Sequence, residues 1–407
     1  MNILLVHNTY QQPGGEDIVF ANECKLLRRF GHNVITYERS NSQIDTYTDW
    51  SRVVLMKDVV WNSGCRREFS QLLKDARPDV VHVHNTFMMI SPAIYSACQE
   101  ARVPVVQTLH NYRLLCPAAN FFRDGQICEE CMTHSLVHGI AHACYHESFL
   151  ATATVACMLK VHRALGTWHH AVNTYIVLSN FSKQRFIAGG LPQEKIVIKP
   201  NFVDPDPGPR SSDGEYALFV GRLSEEKGLK TLLAACKHTP RVSLVIVGDG
   251  PLRQELQACA QRLDLHNVVF RGRLPRQDIE AVLKNARFLV QPSECYENFP
   301  MTVVEAFACG IPVIGSRIGA LKEIVTDGQT GLQFKAGDSE DLAAKIDWAW
   351  QHGEATRAMG QRARHEFEGK YTAEKNYGHL VELYGRVLAN QVPGESCLVT
   401  QPVADRA

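Results

Sequence analysis

No run of 18 apolar residues occurs in this 407-residue sequence; its longest candidate, Phe149 to Leu159, is closed by Lys160. A bilayer needs about 20 such residues, so an integral membrane helix is not expected. Excess charge of one sign is also missing, since 43 Lys and Arg face 43 Asp and Glu. Coating nucleic acid takes many Lys and Arg contacts to phosphate, which excludes that class and leaves any anion to be met locally. Low-complexity composition is absent too: 45% hydrophobic and 21% charged residues describe an ordinary globular chain. The first apolar run, Ile3 to Val6, has no basic leader or small-residue cleavage site before it. Residence is therefore expected in the cytosol, where the 13 cysteines stay reduced or, if clustered, act as ligands.

Within the neutral total, charge is uneven. Residues 1 to 200 carry 19 basic against 16 acidic residues and 12 of the 17 histidines. From Met132 to His170 the only acid is Glu147. A helical layer poor in acids is the plainer reading of that stretch; peripheral contact with an anionic membrane face is the other.

The length exceeds what one core supports, so two domains are expected. Short apolar runs at Ile3 to His7, Asn33 to Tyr37, Asp79 to His84 and Val103 to Leu109 alternate with helical patterns, as in a parallel sheet covered on both faces. Pro13, Gly14 and Gly15 make a turn before a helix with Val19, Leu26, Leu27 and Phe30 on one face. After Asn201 the chain packs three prolines, two glycines and two serines into FVDPDPGPRSSDG, which is hinge chemistry. Alternation then restarts with strands at Tyr216 to Val220, Val242 to Val247, Asn267 to Phe270, Phe288 to Gln291 and Pro312 to Gly315. The expected division is an α/β domain over 1–205, a linker over 206–213, a second α/β domain over 214–368, a helix over 369–390 returning to the first domain, and a mobile tail over 391–407. Two doubly wound, Rossmann-like sheets facing each other leave a cleft at their carboxyl edges, where ligands bind in such folds.

The chemistry-bearing residues fall at those edges. Glu297, Asn298, Phe299, Pro300, Met301 and Thr302 lead into a helix that carries Glu305. A helix N-terminus between a loop carboxylate and a helix carboxylate suits phosphate flanked by hydroxyl groups. Arg222 and Lys227 follow the strand Tyr216 to Val220, so both cations can reach one diphosphate, the arginine by its planar fork and the lysine as a point charge. Gly14 and Gly15 let backbone N–H groups approach an anion. Gly248-Asp249-Gly250 lacks the third glycine of a dinucleotide fingerprint, which argues against NAD. His110 ends a strand at the cleft edge, whereas His82 and His84 read as structural.

Taken in order, Gly14-Gly15, His110, Asn201 to Asp204, Arg222 with Lys227, Gly248 to Pro251, and Glu297 to Glu305 followed by Ala306 to Val313 resemble the family 4 retaining glycosyltransferases of GT-B fold, over residues 1 to about 390. The resemblance implies a nucleotide-sugar donor on the second domain and a sugar acceptor on the first. It implies that Arg222 and Lys227 neutralise the leaving diphosphate, that Gly15 closes on it, that Glu305 binds ribose, and that Glu297 and His110 contact the donor sugar. Arg273 and Leu274 would border the base. Asn298 and Pro300 stand where the family often has glycine, so one backbone N–H to the sugar is lost at Pro300. No cofactor is needed for catalysis; Asp204-Pro205-Asp206 fits the D-x-D pattern of metal-dependent transferases but lies in the linker.

Outside this set, Cys116, Cys128, Cys131 and Cys144 form C-x11-C-x2-C-x12-C within a Cys-rich insertion over 112–147. Asp124-Gly125 signals a hairpin leading into the C-x2-C. A structural zinc ribbon and four reduced thiols are the two readings. His134, His138, His142 and His146 recur every four residues, as on one helix face. The expected function is transfer of a hexose from a UDP- or GDP-sugar to a sugar or lipid-linked acceptor in cell-surface polysaccharide synthesis (O-antigen, capsule or exopolysaccharide). A GT-B enzyme with a small soluble acceptor and a noncatalytic donor- or lipid-binding partner are the alternatives.

Overall fold

The computed structural model describes residues 1–11 and 14–389, with backbone only at 45, 46, 49, 50, 52 and 53. Pro13 of the expected turn and the expected tail over 391–407 lie outside the described residues. The first domain holds strands β1 (Asn2–Thr9), β2 (Asn33–Ser40), β3 (Val80–Val83) and β4 (Val105–Thr108), then a small hairpin of β5 (Phe122–Arg123) and β6 (Gln126–Ile127), then β7 (Thr174–Val177) and β8 (Ile196–Ile198). Its six-stranded sheet runs β2-β1-β3-β4-β7-β8, with every pair parallel. Val80 to Val83 and Val105 to Thr108 are buried throughout, as unbroken runs covered by helices on both faces must be.

The second domain holds β9 (Tyr216–Val220), β10 (Leu244–Val247), β11 (Val268–Gly272), β12 (Ala286–Gln291), β13 (Val313–Ser316) and β14 (Gly331–Phe334). Their parallel order is β11-β10-β9-β12-β13-β14, that of a dinucleotide-binding sheet. In each sheet the order of connection reverses beside the first strand, between β1 and β3 and between β9 and β12. Crevices open at such switch points because the following helices leave to opposite faces.

The last helix, Ala373–Ala389, packs on the first domain. Leu380, Leu383, Tyr384 and Val387 share a core with Ile3, Leu5, Phe20 and Leu27. Phe30, 42% exposed and expected on the buried face of its helix, instead stacks on Tyr377 at 3.8 Å. Two segments thus cross between domains side by side, with Val203 N donating to Tyr371 O at 3.1 Å. Asp204 and Asp206 of the D-x-D pattern belong to this hinge. Arg29 holds the first at 3.2 Å and Arg364 the second at 2.6 Å.

Candidate active site

The switch point of the second domain gathers the residues singled out from the sequence. Beyond β9 the chain turns through Glu225–Lys227 and enters the helix Leu229–His238 at Gly228, whose φ of +68° and closeness to Pro292 O (1.9 Å from an added Cβ) admit only glycine. That turn aims Lys227 at the loop after β12. Lys227 Nζ donates to Glu297 Oε1 at 2.5 Å, the two side chains being 22% and 12% exposed. Ser293 Oγ and Gln291 Nε2 donate to the same oxygen at 2.7 and 3.3 Å. Burial works against both charges, but each overcomes it for the other. The Lys227 ammonium is held above its ordinary range and the Glu297 carboxyl below its own. Arg222 is exposed and forms no ion pair among the described residues, which leaves its fork free for a ligand.

The helix Met301–Ala308 begins after Pro300 with no side-chain cap, so its first N–H groups are open to an anion. Across the cleft, the helix Gly15–Arg29 also presents its N-terminus: Gly14 N donates to Asp17 Oδ2 at 2.6 Å, and a Cβ on Gly15 would sit 3.6 Å from Met301 Cγ. Two positive helix ends therefore face each other over the gap. The Glu305 side chain, partly exposed, accepts no hydrogen bond among the described residues. Burial raises its pKa, opposed by Arg276, a neighbour absent from the sequence-based set. Leu274 and Met301 both pack against the core that includes Phe299, while Arg273 is exposed. Thr302 Oγ1 lies 3.4 Å from Gln291 Oε1.

Three placements depart from expectation. Asn298 is not free for a sugar. Its Nδ2 donates to Leu109 O at 2.8 Å and its Oδ1 accepts from Ser182 Oγ at 2.5 Å, so it clamps the second domain to the first beside His110. His84, read as structural from the sequence, sits directly against the candidate site residue His110, its Nδ1 2.9 Å from His110 Nε2 with the rings stacked. The four-residue histidine spacing does not lie on one helix: the helix Leu136–Ala141 stops at His142, and Ala143, His146 and Glu147 all take positive φ.

Sequence reasoning also passed over Glu16. It follows Gly15 directly, and its carboxylate accepts from Asn85 Nδ2 at 2.9 Å and Asn111 Nδ2 at 3.2 Å. Burial, then Asp17, push its pKa up to about 8. Its only signal in the sequence is its place next to the glycine pair.

The Asp124-Gly125 hairpin forms, both residues taking positive φ, and its second strand leads directly into Cys128 and Cys131. Burial and then Cys116 raise Cys144, and burial pushes Cys131 to about 12. Among the described residues the sulfurs do not converge to the mutual spacing of a metal site, which only Glu23, His82 and His84 reach. No helix among the described residues is long and apolar enough to cross a membrane.

Known proteins share this two-domain fold. The family model described as Glycosyltransferase Family 4 matches residues 13–207, and that described as Glycosyl transferases group 1 matches residues 203–366, the two meeting at the hinge. O-antigen chain mannosyltransferase C of Escherichia coli is 33% identical over 178 residues, covering 43% of this chain and 48% of that one. Alpha-monoglucosyldiacylglycerol synthase of Streptococcus pneumoniae is 24% identical over 363 residues, 85% of this chain and 77% of that one. The chain spans about half the length, or less, of the relatives it matches above 30% identity, E. coli mannosyltransferase C among them. The fold matches that of Anabaena Alr3699/HepE, solved with UDP, at a TM-score of 0.70 and 19% identity over 95% of this chain and 100% of that one. The same protein has been solved with UDP-glucose. With both halves of the GT-B fold in place and the two family models together spanning residues 13–366, this chain belongs to the family 4, group 1 glycosyltransferases.

Proposed function

We propose that this protein transfers a hexose from a UDP- or GDP-sugar, with retention at the anomeric carbon, to a sugar or lipid-linked sugar acceptor in cell-surface polysaccharide synthesis. The observation that carries the reading is the switch-point constellation of Arg222, Lys227, Glu297 and the bare helix end at Met301, facing Gly15 across the cleft. Departure of a nucleoside diphosphate develops negative charge on the leaving oxygen. Preorganised donors in a closed site are each worth about 3–4 kcal/mol to such a transition state. Arg222 and Lys227 neutralise that negative charge, and the helix ends add N–H groups. Glu297, relieved of Lys227 as the ammonium turns to phosphate, accepts from donor sugar hydroxyls, and Glu305 accepts from the ribose. Attack from the face of the departing diphosphate, whose oxygen takes the acceptor proton, gives retention without a covalent intermediate.

The acceptor half of the reading draws support from the surface of the first domain. Val137, Phe149 and Leu150 are 65%, 64% and 61% exposed within the stretch whose only acid is Glu147. An apolar edge with few acids suits an anionic membrane face, where a lipid-linked acceptor would reside. A UDP–sugar and GDP–sugar panel, read by thermal stabilisation and by release of nucleoside diphosphate with acceptor lipid extracts, tests the proposal. Stabilisation by at least one member with turnover is expected. No stabilisation by any UDP or GDP species would overturn it, and binding without turnover would favour a noncatalytic partner.

A further inference from the structure

Beneath the first-domain wall runs a buried chain of polar groups that no sequence motif announces. Lys199 Nζ and Glu23 Oε1 are 2.6 Å apart, at 1% and 0% exposure. The second carboxylate oxygen, Oε2, lies 3.2 Å from His84 Nε2, off the ideal angle, and neither atom has another hydrogen-bond partner. His84 Nδ1 lies 2.9 Å from His110 Nε2. His110 Nδ1 has no partner among the described residues, and His110 lines a cavity of about 50 Å³ with Asn85, Asn111 and Arg113.

Counting protons along this chain fixes each tautomer. An ionised carboxylate only accepts, and Lys199 keeps Glu23 ionised. Burial holds His84 and His110 neutral, so each ring carries one N–H. Placing the His84 proton on Nδ1 would set a bare Nε2 against a bare carboxylate oxygen where water cannot reach, so the proton sits on Nε2. His84 Nδ1 is then an acceptor, and His110 must donate from Nε2. Neighbouring groups do not change the count. His82 spends its nitrogens on Tyr384 Oη (2.7 Å) and Thr108 Oγ1 (2.8 Å), and His7 Nε2 faces Asp17 (2.8 Å). Glu23, His82 and His84 are close enough to hold a metal ion, but the Lys199 ammonium already fills the cation's place on Glu23.

We propose that Lys199, Glu23 and His84 are positioning residues that hold His110 as the Nε2-protonated neutral imidazole, which leaves Nδ1 as a hydrogen-bond acceptor for a hydroxyl of the donor sugar. The sugar in this statement rests on the glycosyltransferase reading; the tautomer chain does not. Outer groups that fix a histidine's tautomer commonly set which nitrogen meets the ligand.

Long-range ¹H–¹⁵N correlation spectra of the full, unliganded chain labelled at histidine decide the matter. His110 Nδ1 is expected to be unprotonated between pH 6.5 and 8; a protonated Nδ1 would overturn the proposal without any variant. Glu23→Gln should reverse the chain. Lys199 retains the amide oxygen, the amide NH₂ faces His84 Nε2, His84 then donates from Nδ1, and the His110 proton moves to Nδ1. UDP-glucose and GDP-mannose serve as probes against UDP and GDP. In Glu23→Gln, affinity for the sugar nucleotide that binds wild type should fall at least tenfold, with affinity for the parent diphosphate unchanged. Equal losses for both would mean a purely structural role and sink the proposal. Should Glu23→Gln fail to fold, His84→Gln, whose amide oxygen still accepts from His110, should keep the wild-type His110 signal, and a protonated Nδ1 there would refute the chain. An unprotonated Nδ1 in a protein that binds none of the four probes would instead defeat the glycosyltransferase reading alone.

Discussion

Replacing Lys227 by methionine removes the cation from Glu297 while keeping much of the side-chain volume. In the native protein Nζ lies 2.5 Å from Oε1, and the side chains are 22% and 12% exposed. Stripping one partner from a buried pair costs about 3–5 kcal/mol. Glu297 keeps Ser293 and Gln291, so the loss should fall near the low end, about 3 kcal/mol at pH 8. The pH dependence follows from the directions of the shifts. Glu297 titrates below its ordinary value, so its contribution is complete above roughly pH 4.3 and lost as pH falls through the folded pKa. Lys227 titrates above its ordinary value, so its contribution is complete below about pH 10.4 and lost as pH rises through the folded pKa. Wild type should thus gain nothing further from this pair between about pH 5 and 10. In Lys227→Met, burial acts on Glu297 without its counter-charge and raises it, so the deficit should be widest at pH 8 and shrink toward pH 5 as the carboxyl protonates. Urea denaturation at pH 5, 6.5 and 8 measures this, and turnover should fall about 10²- to 10³-fold for one lost donor to the leaving group. A variant within about 0.5 kcal/mol of wild type at pH 8, with turnover intact, would refute the reasoning.

Other consequences can be checked in parallel. Because Glu16 titrates near 8 in the folded chain, the native state holds a proton that the unfolded state has released. Stability should therefore fall as pH rises from about 4.5 to 8, and Glu16→Gln should be more stable than wild type at pH 9, on the order of a few kcal/mol, yet little different at pH 4. Glu305→Ala should weaken UDP or GDP binding by about 1.5–3 kcal/mol in calorimetric titration, the worth of charged hydrogen bonds. Since burial raises the Glu305 pKa, wild-type affinity should decline on acidification earlier than an ordinary carboxylate would allow, and the variant should not follow. Phe149→Ser with Leu150→Ser should reduce cosedimentation with phosphatidylglycerol vesicles without altering nucleotide binding; unchanged cosedimentation would remove the membrane-face reading.

Much of this architecture was legible because fully buried parallel strands read as unbroken apolar runs. Tyr216 to Val220 emerges with its ends as expected, and Ile3 to His7 lies within β1. Three strands escaped: Thr174–Val177, Ile196–Ile198 and Gly331–Phe334; in the last, Gly331 and Gln333 interrupt the apolar run. At the site, Arg222 with Lys227 and, separately, Glu297 could be placed beyond strand ends from the sequence, whereas the ion pair between Lys227 and Glu297 was not legible there. Asn298 could not be placed, since its partners Leu109 and Ser182 belong to the opposite domain and lie 189 and 116 residues away. Glu23 and Lys199, 176 residues apart, carry no motif, and His84 looked like one more histidine on a buried strand. The histidine spacing misled because period four means a helix only where the backbone stays helical, and positive φ at Ala143, His146 and Glu147 breaks it.

The grip of two cations on the leaving diphosphate is tested most directly by nucleoside diphosphate release from the wild-type protein and from the Arg222→Ala, Lys227→Ala double variant, with the same donor and acceptor. Loss of both donors at about 3 kcal/mol each should lower the rate by roughly 10⁴-fold or more while the fold, judged by circular dichroism, persists. Release within tenfold of wild type would contradict it.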